Sequence, residues 1–168
     1  MELIAIADTH IKEGESLDRL PATLISMMKE ADMIVHAGSF DTIECYNELS
    51  RLNRLAAVHD EMDTEDVVAL LPDRLIMDVE EVRLGVIHRG EHVTTTTSMR
   101  YLAKEMGVDV LIFGHLHKPV IDISDVLLLC PGSPTFPRMS VASAVLLRID
   151  GKKAEGKIIA CGEGTCFS

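Results

Sequence analysis

The chain has 168 residues, of which 47% are hydrophobic, and its 16 basic and 27 acidic side chains give a formal net charge of −11. This length and apolar content suffice for one buried core, so we expect a single domain over residues 1–168. The sequence has no apolar run of the roughly 18 residues that span a membrane and no pattern of a secretory signal, which predicts a soluble, cytoplasmic protein. The acidic balance without a basic run argues against long nucleic acid as a partner.

The first half of the chain alternates apolar runs with amphipathic segments. Residues 3–7, 33–37 and 55–58 are short apolar runs that predict strands buried on both faces. Helices are predicted between them, one beginning after Pro21 and one over residues 42–52. Consecutive units of this kind predict an α/β fold with a parallel sheet.

The second half is rich in predicted strands. Residues 74–88 predict two strands that meet near Glu80 and Glu81, and the threonine run 94–97 caps a helix that reaches about Met106. Closely spaced apolar runs joined by turn residues predict the remaining strands, over residues 108–113, 120–123, 126–130, 142–149 and 157–160.

Polar residues able to bind a metal ion follow the predicted strands where those strands end. Asp8 and His10 come after the first strand, His88 after a later one, and His115 and His117 after another. Because ligands of open α/β sheets bind beyond the carboxyl ends of the strands, we expect these residues to converge. Carboxylate and imidazole together suit zinc, manganese, iron or nickel better than calcium or magnesium. The set therefore predicts a divalent transition metal, as one or two ions.

Taken singly, several of these residues have a structural alternative. Asp8 alone is equally typical of a turn or helix cap, and His10 alone is typical of a solvated loop. The His115-x-His117 spacing alone does not decide between a metal site and a loop. His36 is expected to support a ligand or to be a hydrogen-bonded core histidine. Only the joint occurrence favours metal binding.

Four short motifs in this order resemble the signature of calcineurin-like metallophosphoesterases: Asp8-Thr9-His10, His36-Ala37-Gly38, His88 and Gly114-His115-Leu116-His117. The loop Pro131-Gly132-Ser133-Pro134 and the pair Pro137-Arg138 are similar to the small archaeal and bacterial phosphodiesterases of that family. The resemblance implies a four-layer α-β-β-α sandwich with a two-metal centre. It implies one ion on Asp8, His10 and His117, and another on His88, His115 and Glu61, which stands at the family's asparagine position.

The chain departs from the family pattern at two positions of the implied centre. Ser39 replaces the family's bridging aspartate, and Asp60-Glu61 replaces its glycine-asparagine pair, so one carboxylate is lost and another gained. Our hypothesis is that Glu61 supplies the missing carboxylate; the alternative is that Asp41 turns inward. Ser39, like Asp63, is then expected to be a weak ligand or to support a ligand.

The resemblance implies hydrolysis of a small phosphodiester by a metal-activated water. Met62 stands where many family members have a histidine that protonates the leaving group, so acidic, aryl-like leaving groups are expected to react best. Thr9 and Arg89 are expected to contact the substrate phosphate.

The alternative function is a catalytically weak or inactive metal-binding scaffold, like the retromer subunit that resembles this family. Ser39 favours that alternative. An exposed strand edge in the β-rich half would also allow self-association as a homodimer.

Overall fold

A computed structural model describes residues 1–90, 95–162 and 165–167 of the chain. The strands, numbered in chain order, are β1 (Glu2–Ile6), β2 (Met33–Ala37), β3 (Leu55–Val58), β4 (Arg74–Val79), β5 (Val82–Ile87), β6 (Val110–Phe113), β7 (Pro119–Ile123), β8 (Leu127–Pro131), β9 (Ser143–Asp150), β10 (Lys153–Gly162) and β11 (Thr165–Phe167). The helices are α1 (Ala22–Glu30), α2 (Ile43–Leu52), α3 (Glu65–Leu70) and α4 (Thr96–Met106), with a 3₁₀ turn at Leu17–Arg19. No helix within these ranges is long and apolar enough to cross a membrane.

The strands form two sheets. The first has the order β11-β10-β9-β1-β2-β3, in which β1, β2 and β3 are parallel, as the sequence predicts. The second has the order β4-β5-β6-β8-β7, in which β5, β6 and β8 are parallel. The late strands β9 and β10 return to the first sheet, where β9 pairs antiparallel with β1.

Alternating side chains of the strands build the layers. On β1, Leu3 and Ala5 belong to the apolar cluster between the two sheets, whereas Ile4 and Ile6 pack with α1 and α2 on the outer face. A third cluster packs α4, through Ala103, against the outer face of the second sheet. The result is the expected four-layer α-β-β-α sandwich, since helices pack on the outer face of each sheet.

Helix ends follow their sequence signals. Thr42 caps α2 by accepting the N–H of Cys45, and Thr95 caps α4 by accepting the N–H of Ser98. Gly107 ends α4 in the left-handed conformation, with φ of 66°. Thr94, the first residue of the predicted cap run, lies outside the described residues.

Some boundaries differ from the predictions. Strand β10 begins at Lys153 rather than at residue 157, and the strand predicted from residue 108 begins at Val110. The helix α3 was not predicted, because it has six residues with a single buried one, Val67, and so shows no helical period.

Candidate metal centre

Turns that follow the parallel strands meet at one edge of the sandwich. The N–H of Asp8 donates to Gly38 O at 3.0 Å, that of His10 to Ser39 O at 3.2 Å, and that of His115 to Asp8 Oδ2 at 3.0 Å. Six non-glycine residues of these turns have φ between 44° and 74°: Asp8, His10, Ser39, Asp41, His115 and His117. This range is uncommon for a residue with a side chain, and it costs free energy. Such a concentration of strained backbone is typical of functional sites.

The carboxylate of Asp8 is the centre of this edge. Its side chain is fully buried, and Oδ1 has no hydrogen-bond partner among the described residues. Three imidazole nitrogens surround that oxygen: His117 Nε2 at 3.2 Å, His88 Nε2 at 3.9 Å and His10 Nε2 at 4.0 Å. A buried carboxylate oxygen without a partner is costly unless a cation or a hydrogen bond satisfies it.

Each of these three histidines is oriented through its other ring nitrogen. His10 Nδ1 lies 2.8 Å from Asp41 Oδ1, His88 Nδ1 lies 2.8 Å from Ala37 O, and His117 Nδ1 lies 2.7 Å from Phe136 O. Because carboxylate and carbonyl oxygens only accept, each Nδ1 donates, and in the neutral form of each ring the Nε2 lone pair faces Asp8. This is the arrangement of metal-binding histidines. The contact with the Asp8 carboxylate raises the pKa of His117.

The donors present fit a divalent transition metal. Ligand atoms of Asp8, His10 and His117 lie within 4.8 Å of one another. One carboxylate oxygen and two imidazole nitrogens suit zinc, manganese, iron or nickel.

A second group of polar atoms lies beside His88. The Ser39 hydroxyl donates to Asp60 Oδ2 at 3.1 Å, and His88 Nε2 lies 3.6 Å from the same oxygen and 3.4 Å from Ser39 Oγ. Both Ser39 and Asp60 are buried. A carboxylate therefore does lie next to the serine that replaces the family's bridging aspartate.

That carboxylate is not the one expected from the sequence. The side chain of Glu61 is 65% exposed and forms an ion pair with Arg89, so the structure does not bring it into the buried cluster. The loop turns between the two residues, since Asp60 Oδ1 accepts the N–H of Glu61 at 2.8 Å. Relative to the family pattern, this loop has gained one carboxylate. Side chains in a loop do not alternate regularly, so the sequence does not predict which of two adjacent acids faces inward.

His36 supports the site from inside the sheet. Its Nδ1 accepts the N–H of Gly38 at 3.1 Å, so its Nε2 carries the proton and donates to Thr9 Oγ1 at 3.0 Å. Burial lowers the pKa of His36 well below its usual value and keeps the ring neutral. Thr9 is itself fully buried. This interior position does not favour the expected contact of Thr9 with a substrate phosphate.

Two further aspartates hold ligand-bearing segments in place. Asp41 turns toward His10 and orients its ring, which gives it a supporting position. Asp63 Oδ2 accepts the N–H of Asp60 at 2.7 Å, and its Oδ1 accepts the N–H of Asp41 at 2.8 Å. Burial raises the pKa of Asp63, and its backbone hydrogen bonds oppose that rise.

His115 lies at the rim of the site. Its backbone N–H binds Asp8, its side chain is exposed, and its ring stands edge-on to His88 with a centroid distance of 5.6 Å. Burial of its ring and the neighbouring His88 and Arg89 lower the pKa of His115. Its role as a ligand stays a prediction.

The loop after β8 clamps the turn that carries Asp8. Ser133 Oγ donates to Asp8 O at 2.7 Å and accepts the N–H of Phe136 at 2.8 Å, while Thr135 Oγ1 donates to Thr9 O at 2.6 Å. The proline and glycine residues at positions 131–134 are typical of a loop, but they do not predict what it contacts. Its hydrogen bonds to residues more than a hundred positions away have no local pattern.

A cleft of about 840 Å³ opens beside His88 and Asp60. Arg74 and Arg89 lie in its wall together with the acids Glu61 and Glu105. The expected contact of Arg89 with a substrate phosphate stays a prediction, and this position favours it.

Comparisons with known proteins agree with this geometry. Residues 1–152 match the calcineurin-like phosphoesterase superfamily domain. A probable metallophosphoesterase of Methanothermobacter thermautotrophicus is 37% identical over 169 residues, covering 97% of this chain and 94% of that protein.

Two solved structures share the fold. Vps29 of Entamoeba histolytica, complexed with Zn²⁺, has a TM-score of 0.82 at 21% identity and covers 99% of this chain and 96% of its own. A novel archaeal phosphodiesterase has a TM-score of 0.72 at 19% identity and covers 95% of this chain and 100% of its own.

Proposed function

The chain belongs to the calcineurin-like phosphoesterase superfamily, and from this premise we propose that it is a metal-dependent phosphodiesterase acting on small phosphodiesters. The archaeal phosphodiesterase that shares its fold supports this choice of substrate class. The observation that carries the proposal is Asp8 Oδ1, a buried carboxylate oxygen without a hydrogen-bond partner among the described residues, faced by three imidazole nitrogens.

The residues of the site have separate tasks. Asp8, His10 and His117 would hold a divalent ion, which when bound supplies a Lewis acid that lowers the pKa of water and neutralises phosphate charge. Arg89, on the wall of the cleft next to His88, is placed to pair with a non-bridging phosphate oxygen once Glu61 releases it. The buried neutral His36 fixes the turn at Gly38 and takes no part in proton transfer.

The preferred leaving group follows from Met62, in the loop after β3. Met62 offers no proton, and its side chain is 79% exposed at the position where many family members carry a histidine. An alcohol with a low pKa leaves without protonation, so aryl diesters should react faster than alkyl esters. A phosphomonoester also brings a second negative charge toward Asp8 and Asp60, which disfavours it.

A binding protein without turnover is the second candidate, and Ser39 is the observation that favours it. A neutral hydroxyl at the family's bridging position weakens the charge that holds two ions close together. A protein of this kind would still bind metal at Asp8, but it would not hydrolyse a phosphodiester.

The experiment that separates the two candidates is the manganese-dependent hydrolysis of bis(p-nitrophenyl) phosphate. We expect a measurable rate in the wild-type chain. The rate should fall at least about 100-fold in His117→Ala, because that variant removes one ligand of the ion that Asp8, His10 and His117 would hold. p-Nitrophenyl phosphate is the monoester comparison and should react more slowly. A rate equal to that of His117→Ala, with zinc, nickel and iron tried in turn, would favour the binding protein.

A further inference from the structure

We propose that Asp60 is the carboxylate ligand of a second ion on the His88 side of the centre, and that Ser39 positions it instead of bridging. This inference rests on the proposed metal centre. It concerns a residue that stands where the family has glycine. The carboxylate lost at position 39 has thus moved across the site to the neighbouring loop.

The atoms that face His88 Nε2 are hydrogen-bond acceptors. His88 donates through Nδ1 to Ala37 O, so in the neutral form of the ring the lone pair lies on Nε2. That lone pair faces Asp60 Oδ2 at 3.6 Å and Asp8 Oδ1 at 3.9 Å, which are both acceptors. Two carboxylate oxygens that face that lone pair repel it in a buried site, and a cation among them converts the repulsion into attraction.

The distances around His88 Nε2 match those between ligands of one ion. Ligand atoms that share an ion at about 2.0–2.2 Å stand roughly 3–4 Å apart. The separations around His88 Nε2, which are 3.4 Å to Ser39 Oγ, 3.6 Å to Asp60 Oδ2 and 3.9 Å to Asp8 Oδ1, fall in that range. They are too long for strong hydrogen bonds, so a hydrogen-bonded network alone does not explain the arrangement.

Three hydrogen bonds fix the position of Asp60. Its Oδ1 accepts the N–H of Glu61, its Oδ2 accepts the hydroxyl of Ser39, and its own N–H donates to Asp63 Oδ2. Ser39 has one hydroxyl proton and gives it to Asp60 at 3.1 Å. The serine therefore acts on the site by orienting the carboxylate, and a preoriented ligand is typical of metal sites.

Glu61 provides a matched control. It is adjacent in sequence and carries the same charge, but its exposed side chain pairs with Arg89. The variants Asp60→Asn and Glu61→Gln each remove one negative charge within the same loop. An effect of the chain's net charge would change both variants alike, whereas a ligand effect would change only the first.

The test is the number of manganese ions bound per chain, counted by equilibrium dialysis and elemental analysis without substrate. We expect two ions in the wild-type chain and in Glu61→Gln, and one in Asp60→Asn. The double variant Ser39→Asp with Asp60→Ser returns the carboxylate to the family's position and should restore the second ion. Thermal unfolding of each variant verifies that it is folded.

Each contrary count overturns the inference. Two ions in folded Asp60→Asn, one ion in the wild-type chain, or loss of an ion in Glu61→Gln alone would each show that Asp60 is not this ligand. Should Asp60→Asn not fold, the double variant decides: one ion there means that the carboxylate does not act as a ligand from either position. Because no turnover is measured, a failure of the phosphodiesterase assay leaves this result intact, and the reverse also holds.

Discussion

Gly38 and Gly14 both have positive φ, but only Gly38 lies against a side chain of the metal centre. A Cβ on Gly38 would stand 2.7 Å from His88 Cβ, whereas a Cβ on Gly14 would have no atom within 4 Å. The two glycines therefore separate the cost of the backbone conformation from the cost of crowding.

We predict that Gly14→Ala lowers the free energy of unfolding by about 1 kcal/mol, from the left-handed conformation alone. Gly38→Ala should lower it by about 3 kcal/mol or more, because His88 must also move. Chemical denaturation of the two variants measures both values. Equal losses would contradict the close packing of Gly38 against His88.

Thr9 offers a second test at this scale, because its hydroxyl accepts the proton of His36 Nε2 in the interior. Thr9→Val leaves that buried donor unpaired, so we predict a loss of about 1–3 kcal/mol in stability with an unchanged KM. Thr97→Val, on the exposed face of α4, is the control and should cost less than about 0.5 kcal/mol. Unchanged stability with a raised KM would instead support the phosphate contact expected from the sequence.

At the residue scale, the sequence does not predict which acid of the loop after β3 faces inward. The resemblance to the family implies the exchange of carboxylates between position 39 and the loop. It does not choose between Asp60 and Glu61, since that choice depends on the hydrogen bond from Asp63 N–H to Asp60 O, at 3.2 Å, which closes the turn.

At the scale of elements, the loop after β8 and the turn after β1 form one unit. Ser133 joins Asp8 O to Phe136 N–H, and Phe136 O in turn orients His117. Two of the proposed metal ligands, Asp8 and His117, therefore depend on a single hydroxyl.

We predict that Ser133→Ala weakens manganese binding about 10-fold, as is typical when a group that orients ligands is lost. Stability should fall by about 2 kcal/mol, because the Phe136 N–H loses its acceptor and the Asp8 carbonyl keeps only the longer hydrogen bond from Thr135 Oγ1. Isothermal titration measures the affinity, with Ser50→Ala on the exposed face of α2 as the control. Unchanged affinity in a destabilised Ser133→Ala would show that the loop does not position the ligands.

The elements themselves were largely predictable where burial is two-sided. Strands β2 and β3 match their predicted bounds because, apart from His36, both consist of apolar residues bounded by polar turns. The first half of β10 was missed because its Lys153 and Glu155 are exposed while Ala154 and Gly156 face inward, which gives alternating charge instead of an apolar run.

At the scale of the whole molecule, the acidic net charge and the buried carboxylates both favour the binding of cations. A chain with a net charge of −11 that buries Asp8 and Asp60 is expected to gain stability from bound cations. Sequence reasoning implied the two-sheet sandwich only through the family resemblance, because the return of β9 to pair with β1 joins segments far apart in the chain.

We predict that manganese at about 100 times its dissociation constant stabilises the chain by about 2.7 kcal/mol relative to the chelated protein. For a chain of this size the melting temperature should rise by about 5–10 °C. His117→Ala should show a much smaller rise. Equal shifts in both proteins, followed by circular dichroism with and without EDTA, would indicate nonspecific cation binding.

The most direct test of the metal centre is diffraction at the manganese absorption edge from crystals grown with manganese. The predicted result is an anomalous peak within bonding distance of the Asp8 carboxylate and of the Nε2 atoms of His10 and His117, which already lie close together. An Asp8 carboxylate without such a peak, in crystals where manganese is bound elsewhere, would contradict a metal-dependent function for this site.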